Sequence, residues 1–226
     1  GNNLVTSGAV SYSAVDGRNC ADFSGGDLQP TSTVDLSGDI TLSFWARWNT
    51  SVPFGGNNYV QMFSWLSPAT VDYLDFYLLN GKLRSQRRAA GGGFSNSLGT
   101  INVPAGSWHL LTTTIDAVTG TQKFFVDGVL DSTHTVSAAG FSAAGTATYG
   151  EASGRAYDGA LDDIRIWDRV LSDAEVSALA PITPTWPGTF AIAQIGGDDY
   201  GFGFAERLDD VAIWTRQLTA AEVTQI

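Results

Sequence analysis

The chain has 226 residues, a formal net charge of −11, 26 glycines and 12% aromatic residues. Phosphate contacts need a Lys/Arg surface, so this charge excludes general nucleic-acid binding and binding to anionic membranes. Frequent Gly, Thr and Val without long helical periodicity favour an all-β fold, and no apolar run approaches the roughly 20 residues that span a bilayer.

The chain starts at Gly1, and its single methionine is Met62, which indicates a processed or excised piece. Cys20 is the sole cysteine, so an intrachain disulfide is impossible, and we expect a buried, inert thiol. Short strands separated by turn residues are typical of an antiparallel β-sandwich. The predicted strands are 20–24, 40–48, 59–66, 73–79, 82–88, 107–115, 122–127, 129–135, 145–150 and 161–167.

Alternation within these strands predicts which side chains face the core. In the strand at 40–48, Ile40, Phe44 and Trp48 share one side, and Trp45 lies on the other. The dipeptides Asn-Gly at 80–81 and Asp-Gly at 127–128 predict type I′ hairpins.

The strand at 82–88 places four polar side chains on one face, namely Lys82, Arg84, Gln86 and Arg88, with Arg87 on the other. Two interpretations stay open. Arg84 and Arg88 can bind the carboxylates of an acidic glycan or of a partner's acidic loop through their guanidinium forks. Alternatively, the charges protect an edge strand from aggregation.

The sequence LDDIRIWDRVLSDAEV, which begins at Leu161, recurs 47 residues later as LDDVAIWTRQLTAAEV. Each copy joins an acidic pair, an alternating apolar strand and a short helix. Ser172 and Glu175 form a predicted capping box at the start of the helix, and the second copy repeats this pattern with Thr219 and Glu222. The repeat therefore indicates a complete supersecondary unit.

Three prolines at 181–187 predict an extended connector, so we place a domain boundary there. Residues 1–180 form the predicted sandwich domain. Residues 188–226 contain the second closing strand pair and helical turn. About 40 residues rarely form an independent core, so this segment is expected to pack on the first domain or on a neighbouring chain.

Four segments carry a resemblance to a known family: DFSGGD at 22–27, LSFWARW at 42–48, the SWHLL to FVDGVL stretch at 107–130, and GALDDIRIWDRVLSDAEV at 159–176. Together they resemble the laminin-G-like, concanavalin A-like jelly-roll domains. The resemblance implies two stacked antiparallel sheets, in relatives that serve as lectins, adhesion modules, hydrolases, lyases and virion proteins. A sandwich of this type has one place for the closing unit, so the second copy departs from the family pattern.

Acidic pairs at strand entrances are candidate calcium ligands, because calcium takes carboxylate and carbonyl oxygens. Asp162 with Asp163 and Asp209 with Asp210 fit this pattern, and the resemblance supports it because many relatives hold calcium near the loop end of the sandwich. The alternative is that these acids are solvated and bond loop amides.

Aromatic side chains are the candidates for stacking against a sugar ring. Trp45 and Trp65 are predicted to lie opposite the core faces of their strands, and Tyr157 and Tyr200 lie near glycine-rich loops. The alternative is a structural role, because large aromatic residues also supply core area in sandwiches.

Catalysis is not expected. Of the four glutamates, Glu175 and Glu222 belong to helix caps, and Glu151 and Glu206 lack the E-x-D-x-x-E strand pattern of related glucanases. The two histidines lie outside any lyase-like motif.

We predict a non-catalytic binding or adhesion module, secreted or on a cell surface, that recognises carbohydrate or a glycosylated partner with or without calcium. The alternative is a virion protein, such as a phage decoration or tail protein, or a filament protein, in which the duplicated tail makes subunit contacts. The expected partners are a glycan or glycoprotein, or neighbouring subunits that include further copies of the chain.

Overall fold

The structure of the protein is a computed structural model, and it describes most of the chain up to residue 180. The described ranges are 4–7, 10–16, 18–24, 26–49, 51–54, 57–89, 93–138, 141, 143–150 and 157–180. Gly1–Ala180 form one compact unit. The predicted connector at 181–187 and the second closing unit at 188–226 lie outside the described residues, so both stay predictions.

Fifteen strands and one helix make up the described part of the chain, which confirms the all-β prediction. In chain order the strands are β1 (Leu4–Ser7), β2 (Val10–Val15), β3 (Arg18–Ser24), β4 (Asp27–Pro30), β5 (Ile40–Trp48), β6 (Val52–Phe54), β7 (Asn57–Ser67), β8 (Asp72–Leu79), β9 (Lys82–Arg88), β10 (Ser95–Leu98), β11 (His109–Asp116), β12 (Thr121–Val126), β13 (Val129–Thr135), β14 (Thr146–Gly150) and β15 (Asp158–Trp167). The helix is α1 (Asp173–Leu179). Each of the ten predicted strands is present within a few residues of its expected bounds.

The strands form two antiparallel sheets. The first has the order β1-β4-β14-β7-β8-β9-β10, with β6 paired to β7, and the second has the order β13-β12-β11-β5-β15-β3-β2. Strand β9 is hydrogen-bonded to β8 on one side and to β10 on the other. The edge-strand explanation for the charges on β9 is therefore wrong, because β10 forms that edge of the sheet.

Alternating apolar side chains from both sheets fill the space between them. On β5, the side chains of Ile40, Phe44 and Trp48 belong to the main core cluster, as the alternation predicts. The two sheets meet directly where the rings of Phe44 and Phe76 approach edge to face, with their centroids 5.7 Å apart. Removing this apolar surface from water is the main force that holds the sandwich together.

Both predicted hairpins have the expected turn geometry. The φ angles are 51° at Asn80 and 78° at Gly81 in the β8–β9 turn, and 52° at Asp127 and 75° at Gly128 in the β12–β13 turn. Positive φ at both central residues defines a type I′ turn, whose twist matches that of the flanking strands. The first of these turns sets the register in which β8 meets β9.

The helix α1 begins with the predicted capping box. The side chain of Ser172 accepts a hydrogen bond from the backbone N–H of Glu175, and the Glu175 carboxylate accepts one from the backbone N–H of Ser172. The guanidinium of Arg169 also binds this carboxylate at 2.8 Å. Hydrogen bonding by Arg169 and Ser172 lowers the pKa of Glu175 to about 2, so the cap stays ionised at neutral pH.

The same helix packs on the outer face of the second sheet. Val176 and Leu171 form a small apolar cluster with Phe125, which points away from the main core. The helix α1 has seven residues. The described part of the chain contains no helix that is long and apolar enough to cross a membrane.

Candidate functional site

The outer face of the first sheet carries a band of polar and aromatic side chains on β7 to β10. On β9, Leu83 and Arg87 point into the sandwich, so Arg84 and Arg88 point away from it. We call this band the polar face. It is formed by Tyr59, Gln61, Tyr73, Asp75, Tyr77, Lys82, Arg84, Gln86, Arg88 and Asn96.

Strand pairing places these side chains in rows across the sheet. One row runs from Gln61 through Tyr77 to Arg84, because these residues stand opposite one another in register. The next row places Gln86 beside Asn96 of β10. Side chains directly opposite on neighbouring strands lie about 4.5–5.5 Å apart at Cβ, so the members of each row are neighbours. Gln61, Asp75 and Tyr77 are buried, and the other members of the polar face are at least partly exposed.

An aromatic pair lies at one end of this surface. The rings of Tyr59 and Tyr77 stack, with centroids 5.5 Å apart and an interplanar angle of 26°. The guanidinium carbon of Arg84 lies 5.8 Å from the centre of the Tyr77 ring. Tyr77 is 2% exposed and Tyr59 is half-buried, so Tyr59 presents the aromatic surface here.

Asn96 organises the hydrogen bonds at the other end. Its Oδ1 accepts from Arg84 Nη2 at 3.0 Å and from Gln86 Nε2 at 3.1 Å. Two donors on one oxygen fix the orientation of the Asn96 amide. Among the contacts of the described residues, Asn96 Nδ2 is left to donate and Gln86 Oε1 to accept.

Two further polar groups are buried in the polar face. Asp75 is fully buried and accepts a hydrogen bond from the hydroxyl of Tyr73. Gln61 is also buried, and its Nε2 donates to the carbonyl of Phe63 at 3.0 Å. Gln61 Oε1 accepts no hydrogen bond from the described residues, which is costly for a buried polar atom.

Arg84 and Arg88 lie on the same face of β9, as the alternation predicts, and their role in ligand binding stays a prediction. Both lie on the polar face and are partly exposed. The guanidinium of Arg88 lies 5.8 Å from the ring centre of Phe94, which is 56% exposed. Both arginines are therefore accessible from one side of the sheet.

Trp45 lies on the outer face of the other sheet. Its side chain points away from the main core, as predicted, but only 8% of it is exposed. The guanidinium of Arg18 covers the indole at 4.1 Å from the ring centroid. The flat surface that a sugar ring needs is thus already occupied by a cation.

Trp65 is a core residue, so the prediction that it lies opposite the core face was wrong. It is fully buried, its Nε1 donates to the carbonyl of Val34 at 2.9 Å, and its ring packs on Phe141 at 4.5 Å. A β-bulge at Met62 is the cause, because the extra residue reverses the alternation in the second half of β7.

Tyr157 is also buried, which corrects its expected role in sugar stacking. It is 0% exposed, and its ring meets Phe23 edge to face at 5.5 Å. Its hydroxyl lies 3.0 Å from the carbonyl oxygens of both Arg47 and Ala160. Burial raises its pKa well above the ordinary tyrosine value, so the hydroxyl keeps its proton for this bond.

Asp162 and Asp163 lie beside a groove of about 670 Å³ at the β2 edge of the sandwich. Each carboxylate is paired with an arginine: Asp162 binds Arg18 at 2.8 Å, and Asp163 binds Arg165 at 2.6 Å. The second oxygen of Asp162 accepts the backbone N–H of Asp163. Both acids thus match the alternative in which they bond neighbouring protein groups.

This arrangement does not fit calcium, which takes six to eight oxygen ligands. In the described ranges, no group of three or more His, Cys, Asp or Glu side chains is placed to hold a metal ion. Asp209, Asp210 and Tyr200 lie outside the described residues. Calcium binding by the second acidic pair and ligand contact by Tyr200 stay predictions.

Sequence reasoning missed Tyr59 and Asn96 as members of the polar face. Tyr59 begins the alternation of β7 on the outer side, ahead of the bulge, so its orientation was available from the pattern. Asn96 lies in the short segment Ser-Asn-Ser-Leu, which carries no strand signal of its own. Its place depends on pairing with β9.

The chain belongs to the concanavalin A-like lectin/glucanases superfamily, in its laminin G type, whose sequence pattern matches residues 23–177. This confirms the resemblance and identifies the sandwich as a concanavalin A-like jelly roll. No curated protein matches the chain in sequence.

Solved structures share the fold at low identity. A heptameric pentraxin of Limulus polyphemus is 17% identical with a TM-score of 0.57, over 79% of this chain and 82% of its own. Domain 4 of an extracellular arabinanase from Geobacillus stearothermophilus, in complex with arabinotriose, is 16% identical with a TM-score of 0.63, over 78% and 87%. Botulinum neurotoxin type C, whose cell entry depends on two ganglioside molecules, is 14% identical with a TM-score of 0.61, over 79% and 46%. At these identities the likeness shows the fold, and this chain spans about half of the toxin structure.

Proposed function

We propose that the chain is a non-catalytic binding module, secreted or on a cell surface, that binds a glycan or the glycan of a glycoprotein on its polar face. The observation that carries the proposal is the combination of a partly exposed tyrosine with fixed amide groups on one sheet face. Sugar rings offer apolar C–H surfaces and hydroxyls, which need an aromatic plane beside both donors and acceptors. Tyr59, Asn96 and Gln86 supply these groups.

The comparisons support a binding role of this kind. The arabinanase domain was solved with an oligosaccharide, and the neurotoxin acts through gangliosides. Both share the fold of this chain, although fold alone does not determine a ligand. The absence of catalysis is part of the proposal, and in the described ranges the sole glutamate, Glu175, is committed to the helix cap.

The polar face is preferred over the outer face of the second sheet. On the second sheet, Trp45 is covered by Arg18, and α1 occupies the surface around Phe125. The groove beside Asp162 has carboxylates already neutralised by arginine. On the polar face, Asn96 Nδ2 and Gln86 Oε1 have no hydrogen-bond partner among the described residues.

Replacing Tyr59 with alanine is expected to weaken binding to the best ligand of a glycan array by about 2- to 10-fold, the range for losing one aromatic contact. Isothermal titration calorimetry of wild type and variant measures this change. Tyr12→Ala is the matched control, because Tyr12 is a 69% exposed aromatic residue on the second sheet. Equal affinities for wild type and Tyr59→Ala, or a loss confined to Tyr12→Ala, contradict the proposed face.

A further inference from the structure

We propose that the polar face is selective for a glycan that carries a carboxylate, such as a uronic or sialic acid residue, and that the guanidinium of Arg84 binds this carboxylate. The inference deepens the proposed glycan-binding function and depends on it. It rests on three features: the local charge, the partners of Arg84 and the groups beside it.

The charge of the polar face is opposite to that of the chain. The whole chain carries −11, yet among the ten described residues that define this face three are cations, Lys82, Arg84 and Arg88, and one is a carboxylate, Asp75. Asp75 stands opposite Gln86 in the β8–β9 register and is engaged by the hydroxyl of Tyr73. A local positive potential attracts anionic ligands, even on a molecule that is acidic overall.

The partners of Arg84 differ from those of the arginines that form ion pairs in the described part of the chain. Four arginines bind a protein carboxylate at 2.6–2.8 Å, namely Arg18, Arg47, Arg165 and Arg169. Arg84 instead donates to the neutral amide of Asn96 and lies over the ring of Tyr77. Within the described residues, no carboxylate pairs with Arg84.

These contacts orient the Arg84 fork without neutralising it. The hydrogen bond to Asn96 uses one nitrogen, Nη2, and the tyrosine ring supports the guanidinium plane. The other N–H groups of Arg84 make no hydrogen bond to the described residues, and arginine favours a bidentate geometry with a carboxylate. A guanidinium that is held in advance loses less entropy on binding.

The groups beside Arg84 favour an acidic sugar over an acidic peptide. The carboxylates of an acidic peptide only accept hydrogen bonds, and its donors are limited to its backbone N–H groups. Gln86 Oε1 is an acceptor, and Asn96 Nδ2 is a donor, on the row next to Arg84. A sugar hydroxyl uses both kinds of group, and Tyr59 adds an apolar surface for its ring.

The test is an array of oligosaccharides that contain uronic or sialic acid, each paired with its methyl ester, probed with the full chain. The ester removes the charge and keeps the ring. Wild type is expected to bind the acid form of its preferred pair about 10- to 100-fold more tightly, the range for hydrogen bonds to a charged group. Arg84→Gln is expected to reduce that ratio to near one.

Two further variants sharpen the result. Arg84→Lys retains the charge without the fork and is expected to recover part of the preference. Arg165→Gln is the matched control, because it removes the same charge from the outer face of the other sheet, and it is expected to keep the full preference. Circular dichroism verifies that each variant is folded.

The failures are distinguishable. Equal binding of acid and ester, or a preference that Arg84→Gln leaves intact, overturns the carboxylate assignment while glycan binding stands. Binding of neutral glycans alone also overturns the carboxylate assignment and leaves glycan binding intact. If no glycan binds at millimolar concentration, the proposed function fails and this inference fails with it. Tighter binding of a polyglutamate peptide than of any acidic glycan overturns the choice of a sugar.

Discussion

Replacing Trp65 with alanine is expected to reduce the free energy of unfolding by about 3–5 kcal/mol, the range for removing a buried tryptophan from a core. The side chain is fully buried, packs on Phe141 and donates its indole N–H to the carbonyl of Val34. The substitution leaves a cavity and also an unpaired acceptor, so both costs add. Chemical denaturation measures the loss.

Tyr12→Ala serves as the control for this substitution as well. Its aromatic ring is largely exposed, so its removal is expected to change stability by less than about 0.5 kcal/mol. If the Trp65→Ala protein is as stable as wild type but no longer binds the glycan, Trp65 contacts the sugar and is not a core residue.

Replacing Arg87 with methionine is expected to destabilise the fold by about 3–5 kcal/mol, because it removes a buried positive charge that interacts with the buried Asp72 carboxylate. Arg87 is 1% exposed and points into the sandwich, where its Nη1 donates to the carbonyl of Ser137. Burial lowers the pKa of Arg87, and the charge of Asp72 opposes that shift. Asp72 is fully buried as well.

A double-mutant cycle with Asp72→Asn isolates this interaction. If the two charges stabilise each other, the Arg87→Met/Asp72→Asn protein is more stable than the sum of the single losses predicts, by more than about 0.5 kcal/mol. Urea denaturation of the four proteins gives the coupling energy. Strictly additive losses would contradict a stabilising interaction between the two charges and attribute the effect of Arg87 to its other contacts, which include Ser137 and Phe141.

Alternation predicted the orientation of most strands correctly, and it failed where the backbone departs from a regular strand. On β5 and β9 every second residue faces the core, so Trp45 and Arg84 were both assigned to the correct side. On β7 both Met62 and Phe63 are buried, because the bulge inserts one residue. Strict alternation carried through the adjacent apolar pair Met62-Phe63 does not allow for a bulge, so Trp65 was placed on the wrong side.

The strands that sequence reasoning missed are short or polar. Five were not predicted: β1, β2, β4, β6 and β10. The β10 segment has polar residues at three of its four positions and is a strand because β9 offers it a partner. Strand propensity depends on such tertiary context, which the local sequence does not contain. Because β10 was not predicted, β9 was interpreted as an edge strand.

The acidic pair shows why a recognisable motif left two interpretations open. Asp162 and Asp163 lie at a bulge in β15, and Asp163 has a φ of 48°. Asp162 binds Arg18, which is 144 positions away in sequence. Because that arginine comes from a distant strand, the spacing of the acids alone was compatible with calcium as well as with ion pairs.

An NMR titration shows whether the glycan binds on the polar face. The ¹⁵N-labelled chain is titrated with the tightest ligand of the array while backbone and side-chain amide signals are followed. We expect shifts concentrated at Tyr59, Gln86 and Asn96, with the Asn96 side-chain amide among the largest. Shifts confined to Trp45, Arg18 and Asp162 on the opposite sheet would contradict it.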